Sequence, residues 1–204
     1  MRAVEPPALG DSLGFIGPAE HGSLAALRQV GAAPVVITDV AAADLGAFQA
    51  LIVGSDVLGI QDLRVAASAE RLAGFVQAGG RLAFLQLNDQ DWPMDLLPID
   101  LLVQEENGTA GDVAAPEHVL FEGVAAIRPA VCYDTLAYAD PAWNVLARDD
   151  RGGPAIIETV YGKGRILVIA PSFDRWAGEK KEDTGVPESV SRQLLANLLR
   201  WCAP

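Results

Sequence analysis

The stretch Ala67–Leu87, ASAERLAGFVQAGGRLAFLQL, decides the fold. Leu72, Phe75 and Val76 recur at helical spacing, so the spacing predicts an amphipathic helix over Ala67–Gln77. Gly79-Gly80 stops that helix, because glycine readily takes the left-handed conformation that ends a helix. Arg81–Leu87 then runs almost without polar residues and reads as a strand covered on both faces. The same grammar holds upstream. Leu13–Ile16 is a short apolar run ending at Gly17-Pro18, and Ser23 can cap a helix through Val30. Gly31 closes that helix, Pro34–Ile37 reads as a strand, and Ala50–Val53 is another, ending at Gly54-Ser55-Asp56. Strands that do not alternate polar and apolar, separated by helices, argue for a mostly parallel sheet with helices on both faces.

Downstream the pattern changes. Val131–Tyr138 and Trp143–Ala147 read as strands, and Ala155–Val160 joins Arg165–Ala170 through Tyr161-Gly162-Lys163-Gly164, a hairpin signal. Gly178–Glu188 reads as an exposed loop and Val190–Trp201 as a closing helix, with Leu194, Leu195, Leu198 and Leu199 apolar. The Pro-rich start makes residues 1–12 an N-terminal arm and leaves residues 13–204 as a single α/β domain with an antiparallel hairpin extension.

Composition narrows the partners. The chain has 204 residues, and half of them are apolar, which is enough for a core without disulfides. A formal net charge of -12 excludes a role that needs basic patches, so neither nucleic acid nor an anionic membrane surface is expected as a partner. The sequence has no apolar run long enough to span a membrane and no signal-peptide layout at its start, so a cytoplasmic location is expected.

Four motifs in order carry a family resemblance. They are Phe75-Val76-Gln77-Ala78-Gly79-Gly80-Arg81-Leu82, His118-Val119-Leu120-Phe121-Glu122-Gly123-Val124, Trp143-Asn144-Val145-Leu146-Ala147 and Tyr161-Gly162-Lys163-Gly164-Arg165-Ile166-Leu167. This set resembles the class I glutamine amidotransferase-like superfamily in its divergent, non-catalytic branch. Middle domains of β-galactosidases and trehalose-utilisation-type proteins belong to that branch. The resemblance covers the chain from about Leu13 onward. It implies a flavodoxin-like α/β fold and an accessory or interaction domain linked to carbohydrate metabolism, with a homo-oligomer or a carbohydrate-active enzyme as partner. A carboxylate-dependent sugar-processing enzyme and a small-molecule sensor are the rival readings.

The catalytic residues of that family are missing from their expected places. An amidotransferase needs a cysteine on a glycine-flanked strand-to-helix turn. Here the corresponding strand ends Gln86-Leu87-Asn88-Asp89-Gln90-Asp91-Trp92, and the stretch where the histidine belongs reads Ala170-Pro171-Ser172-Phe173-Asp174-Arg175-Trp176. No catalytic residue, metal site or cofactor is therefore assigned. Cys132 and Cys202 read as small buried hydrophobes. Gly10-Asp11-Ser12-Leu13 spells an esterase signature, but the proline-rich stretch before it cannot be a central strand. His118 reads as a loop cap.

In open α/β sheets, ligands bind beyond the carboxyl ends of the strands, where strand order reverses. The residues expected there are Glu20, His21, Ser55, Asp56, Asn88, Asp89, Asp91, Trp92, Asp174, Arg175 and Trp176, and of these His21, Asp56, Asn88, Asp89, Asp91, Trp92, Asp174 and Trp176 are the candidate ligand set, whose acids, amide and indoles suit a small sugar or polyol. The apolar loop Trp92, Pro93, Met94, Leu96 and Leu97 is expected either to form a contact surface or to fold back over the sheet.

Overall fold

The computed structural model describes residues 9–85, 87, 92–93, 95–174 and 185–203. Its centre is a nine-stranded sheet ordered β2-β1-β3-β4-β11-β10-β9-β6-β7. The first five strands are parallel: β1 (Leu13–Ile16), β2 (Val35–Ile37), β3 (Ala50–Val53), β4 (Arg81–Phe84) and β11 (Gly164–Ile169). The others continue antiparallel through β10 (Pro154–Tyr161), β9 (Asn144–Asp149), β6 (Gly108–Val113) and β7 (Ala130–Cys132). A separate antiparallel pair joins β5 (Leu101–Gln104) to β8 (Thr135–Ala139).

Helix α1 (Gly22–Gln29) connects β1 to β2, and α2 (Ala69–Gln77) connects β3 to β4. The two crossovers step in opposite directions along the sheet, so right-handed connections place their helices on opposite faces. Helix α3 (Glu188–Cys202) packs with α1 and covers the junction of β4, β11 and β10. The mostly parallel α/β architecture expected from the apolar strands is the one observed. Both faces being covered explains the fully buried pattern of β1 and β3.

The glycine motifs at the helix stop and the hairpin turn out to fit one another. The Lys163 amide donates to Gln77 O at 3.1 Å, and the Arg165 amide to Gly80 O at 3.3 Å. Gly162 has φ +62°, and a Cβ there would meet Gln77 Cα at 2.7 Å. Glycine is required at this turn for conformation and for close approach together.

Some boundaries differ from the sequence reading. Val131–Tyr138 is not one strand: Tyr133 and Asp134 form a bend that separates β7 from β8, and the two strands join different sheets. Strands β5 and β6 had no sequence signal strong enough to expect, since their burial is mixed along the chain. The front of the expected second helix, Ala67 and Ser68, belongs to a 3-10 turn over Ala66–Ser68. The apolar loop folds back: Leu96 and Leu97 are buried core, while Trp92 packs edge-on against Phe84 with ring centroids 5.3 Å apart. Burial of these leucines removes them from any contact surface. Met94, and the arm before Leu9, lie outside the described residues.

Leu85 follows β4, donates its amide to Val53 O at 3.0 Å and is buried. Leu85→Ala should lower the unfolding free energy by about 2–5 kcal/mol in urea titrations. Val160→Ala, on a side chain that is 60% exposed, should cost less than about 1 kcal/mol. Equal costs for the two would show that the β4 end is not central.

Candidate functional site

Strand order reverses between β1 and β3, and the carboxyl ends of these two strands deliver a compact polar cluster. The chain leaving β1 turns through Gly17-Pro18 and enters α1 with His21 as the N-cap residue. His21 Nδ1 accepts from the Ser23 amide at 3.2 Å. The cap is therefore histidine, and Ser23, expected to cap the helix, lies inside its first turn with its side chain released for another task. From β3, Gly54 carries the chain into Ser55. A Cβ at Gly54 would stand 2.8 Å from Phe15 Cζ and 3.3 Å from His21 Nδ1, so only glycine lets the strand end pass beneath the histidine. Asp174 arrives from β11 by way of Ala170–Phe173, a segment pinned by the Ser172 amide donating to Val131 O at 2.8 Å.

Ser23, Ser55 and Asp174 are each about 1% exposed, and they satisfy one another. The Ser55 amide donates to Ser23 Oγ at 3.3 Å, and Ser23 Oγ donates to Asp174 Oδ2. The Ser55 hydroxyl lies 3.0 Å from Ser23 Oγ and 3.2 Å from Asp174 Oδ2, so its single proton is shared between two acceptors. Every donor in the knot has a protein acceptor. Buried polar groups need such pairing, because an unmatched one costs about 1–3 kcal/mol.

A serine, a histidine and an aspartate thus meet at the site, but not as a hydrolytic triad. In a triad the histidine takes the serine proton and the aspartate orients the histidine. Here the serine protons point to aspartate, and His21 Nδ1 is occupied by a backbone amide. Neither cysteine supplies a nucleophile. Both are buried, and burial pushes their thiols up to about 12, with the Asp149 charge adding to the effect at Cys132. Ser12 of the esterase-like tetrapeptide precedes β1, at the amino end of the strands, and its hydroxyl bonds Leu9 O at 2.5 Å.

Of the residues expected at the strand ends, His21, Asp56 and Asp174 are placed there. Asp56 is half-buried, with φ 56° directly after Ser55. Trp92 lies against the last residue of β4. Asn88, Asp89, Asp91 and Trp176 lie outside the described residues. In the sequence Ser23 reads only as a cap. Its signal is a small polar residue just after a strand-end turn, a pattern that Gly54-Ser55 repeats.

A second polar cluster lies at the opposite, amino end of the parallel strands. Glu158 on β10 is 5% exposed. It accepts from Trp201 Nε1 at 2.5 Å and from Arg165 Nη1 at 2.9 Å, with His118 Nε2 3.6 Å away. His118 is held in place from below. Its Nδ1 accepts from the Leu120 amide at 3.2 Å, so it caps its loop as expected, and Asn197 Nδ2 on α3 clamps that loop through Leu120 O and Glu122 O. Burial alone pushes the Glu158 carboxyl up, but His118, Trp201 and Arg165 overcome it and hold the group down at about 2. Sequence reasoning misses this carboxylate because it sits inside an apolar strand run.

No protein-family model and no curated protein sequence matches the chain. Solved structures do. A cytoplasmic protein from Salmonella typhimurium superposes with TM-score 0.62 at 14% identity, over 93% of this chain and 98% of that one. A GMP synthase-like protein from Thermoplasma acidophilum gives 0.63 at 11% identity, over 94% and 93%. The cold-adapted β-galactosidase from Rahnella sp. R3 gives 0.55 at 18% identity, with 95% of this chain matched to 31% of the enzyme. The chain therefore spans nearly all of the first protein but only about a third of the glycosidase. At these identities the likeness is one of fold. The class so defined is an open, mostly parallel α/β domain. Among the described residues, no helix is long and apolar enough to cross a membrane.

Two measurements check this geometry. Asp174→Ala should lower the unfolding free energy by about 3 kcal/mol and Ser55→Ala by about 1 kcal/mol. In the double variant the losses should fall short of their sum by at least about 0.5 kcal/mol, and strict additivity would mean the knot is not a unit. For Glu158, the folded carboxyl lies below its ordinary value of 4.5, so its contribution is fully present above that pH. It is lost as pH falls toward about 2. Chemical denaturation across that range should show stability falling, and Glu158→Gln should flatten the slope.

Proposed function

We propose that this chain is a non-catalytic amidotransferase-like domain that acts as an accessory or interaction module linked to carbohydrate metabolism. The carrying observation is the Ser23–Ser55–Asp174 knot. The turn where a nucleophilic cysteine belongs, Gln86–Trp92, has none in its sequence, and Asp174, in the stretch where the histidine belongs, is tied to Ser23 and Ser55. His21 spends its Nδ1 on the start of α1. The carbohydrate link draws support from the recurrence of this fold as part of a β-galactosidase and of an exo-β-1,4-mannosidase. A module of this type works through its surface, with a second copy or a carbohydrate-active enzyme as partner.

The test combines chemistry with association. Incubation with glutamine, with p-nitrophenyl acetate and with p-nitrophenyl β-galactoside should give no turnover above background. A fluorophosphonate probe should leave Ser23 and Ser55 unlabelled. Turnover abolished by Ser23→Ala or Ser55→Ala, or stoichiometric labelling of either serine, would overturn the non-catalytic reading. Light scattering at micromolar concentration should show a dimer or larger species if the partner is a second copy. A strict monomer would leave the enzyme partner as the form of the proposal to be tested by co-purification with a defined glycosidase.

A further inference from the structure

We propose that the amino end of the parallel strands carries a second binding site, for a small hydroxylated carboxylate, formed by Arg81, Arg165 and Asn144 beneath the His118 loop. This site lies at the end of the sheet opposite the serine–aspartate knot and does not depend on the knot being non-catalytic.

Strand register builds the site. Arg81 on β4 is the direct parallel partner of Arg165 on β11. Val160 on β10 faces Arg165, and Glu158, two residues earlier, faces Asn144 on β9. Aligned neighbours in a sheet project to the same face, as do residues two apart on one strand, so Arg81, Arg165, Glu158 and Asn144 share one face, the last two displaced by two residues from the arginine pair. That face is roofed by Trp201 of α3 and by the loop carrying Glu117, His118 and Val119. A cavity of about 350 Å³ remains, lined by Arg81, Arg165, Asn144, His118 and Glu117 among others. This volume lies at the small end of the range for ligand pockets.

The charges on this face do not close. Like charges directly opposite one another on paired strands destabilise a sheet. Of the two arginines, only Arg165 has a carboxylate partner, Glu158, among the described residues. Glu158 is itself shared with His118 and Trp201. Arg81 donates to Trp201 O and lies over the Trp201 ring, its guanidinium 5.8 Å from the centroid. It meets the carbonyl end of α3, but no carboxylate pairs with it among the described residues. The Arg165 side chain is 46% exposed, which leaves its remaining donors open to the cavity. Two guanidinium groups on one face match a single carboxylate, whose paired oxygens suit the forked donors of arginine. Asn144 and Glu117 are exposed at the rim and offer amide and carboxylate partners to hydroxyl groups. The rim carboxylate and the net charge of -12 both work against a dianion such as a phosphate monoester.

Isothermal titration in 150 mM salt tests this with sodium D-galacturonate, D-galactose and inorganic phosphate as probes. Galacturonate should bind, and galactose, which keeps the hydroxyls but lacks the carboxylate, should bind at least about tenfold more weakly. Phosphate should not displace galacturonate at equal concentration. Arg81→Gln should weaken galacturonate by about tenfold or more. Because Arg81 also ties down the end of α3, Asn144→Asp provides a second variant on an exposed residue, and the introduced charge should weaken binding by about fivefold. Amide shifts on titration should centre on Asn144, Arg165 and Val119. Galacturonate binding no tighter than galactose, displacement by phosphate, or unchanged affinity in both variants would each overturn the assignment, and so would an absence of binding by galacturonate.

Discussion

The parallel pairing of β4 with β11 is the constraint on which the rest of this molecule depends. Strand β4 ends the βαβ half of the chain, and β11 arrives after about eighty further residues, so nothing local holds the two together. Their register, Arg165 on Arg81 through Val168 on Phe84, couples the antiparallel half to the parallel half. It also fixes both ends of the molecule. At the carboxyl end, β11 launches the segment that delivers Asp174 to the serines of the other strands. At the amino end, the same register sets two guanidinium groups side by side. A slip by one residue would turn every side chain of β11 to the other face. Arg165 would then lose Glu158, and Leu167 and Ile169 would exchange places with their neighbours. The interlock between the α2 stop and the hairpin guards against that slip, because the Lys163 and Arg165 amides bond to the carbonyls of Gln77 and Gly80.

This dependence explains why much of the fold was legible in the sequence. Apolar runs such as Ala50–Val53 have a single physical solution, burial on both faces, and Gly79-Gly80 marks a helix end by conformation alone. The two glycine motifs are each uninformative, yet they are joined by backbone hydrogen bonds in the structure, which is a physical reason for them to occur together. Strands β5 and β6 escaped notice because their side chains divide between core and solvent irregularly, and register shifts interrupt the pairing of each. Periodicity reports burial, and where burial is irregular it reports little.

The candidate site was legible only in part, for a related reason. Topology alone places His21, Asp56 and Asp174 at the strand ends, since the residue after an apolar strand must lie there. It does not say which neighbours their side chains choose. Ser23 looks like a cap because serine is a common one, but His21 takes that position and releases the serine to Asp174. Glu158 is invisible for the opposite reason. A glutamate between Ile157 and Thr159 looks like an exposed position on a strand, and only the long-range arrival of Trp201 and His118 makes it buried.

The two ends of the parallel strands also obey different physics. At the carboxyl end, every proton of the knot is matched within the protein, and a network so completed gains rigidity and positional uniqueness more than net stability. An apolar filling of the same volume would have served stability equally well. What the hydrogen bonds add is directionality: they hold β1, β3 and the segment after β11 in one arrangement, which apolar packing does not enforce as tightly. The amino end is instead incompletely matched, with two guanidinium groups and one buried carboxylate that answers to three donors. Arg81, which donates to Trp201 O but has no carboxylate partner among the described residues, keeps a charged demand open. The serine–aspartate knot ties the ends of β1, β3 and β11 together, while the register of β4 and β11 sets two guanidinium groups side by side at the other end of the sheet.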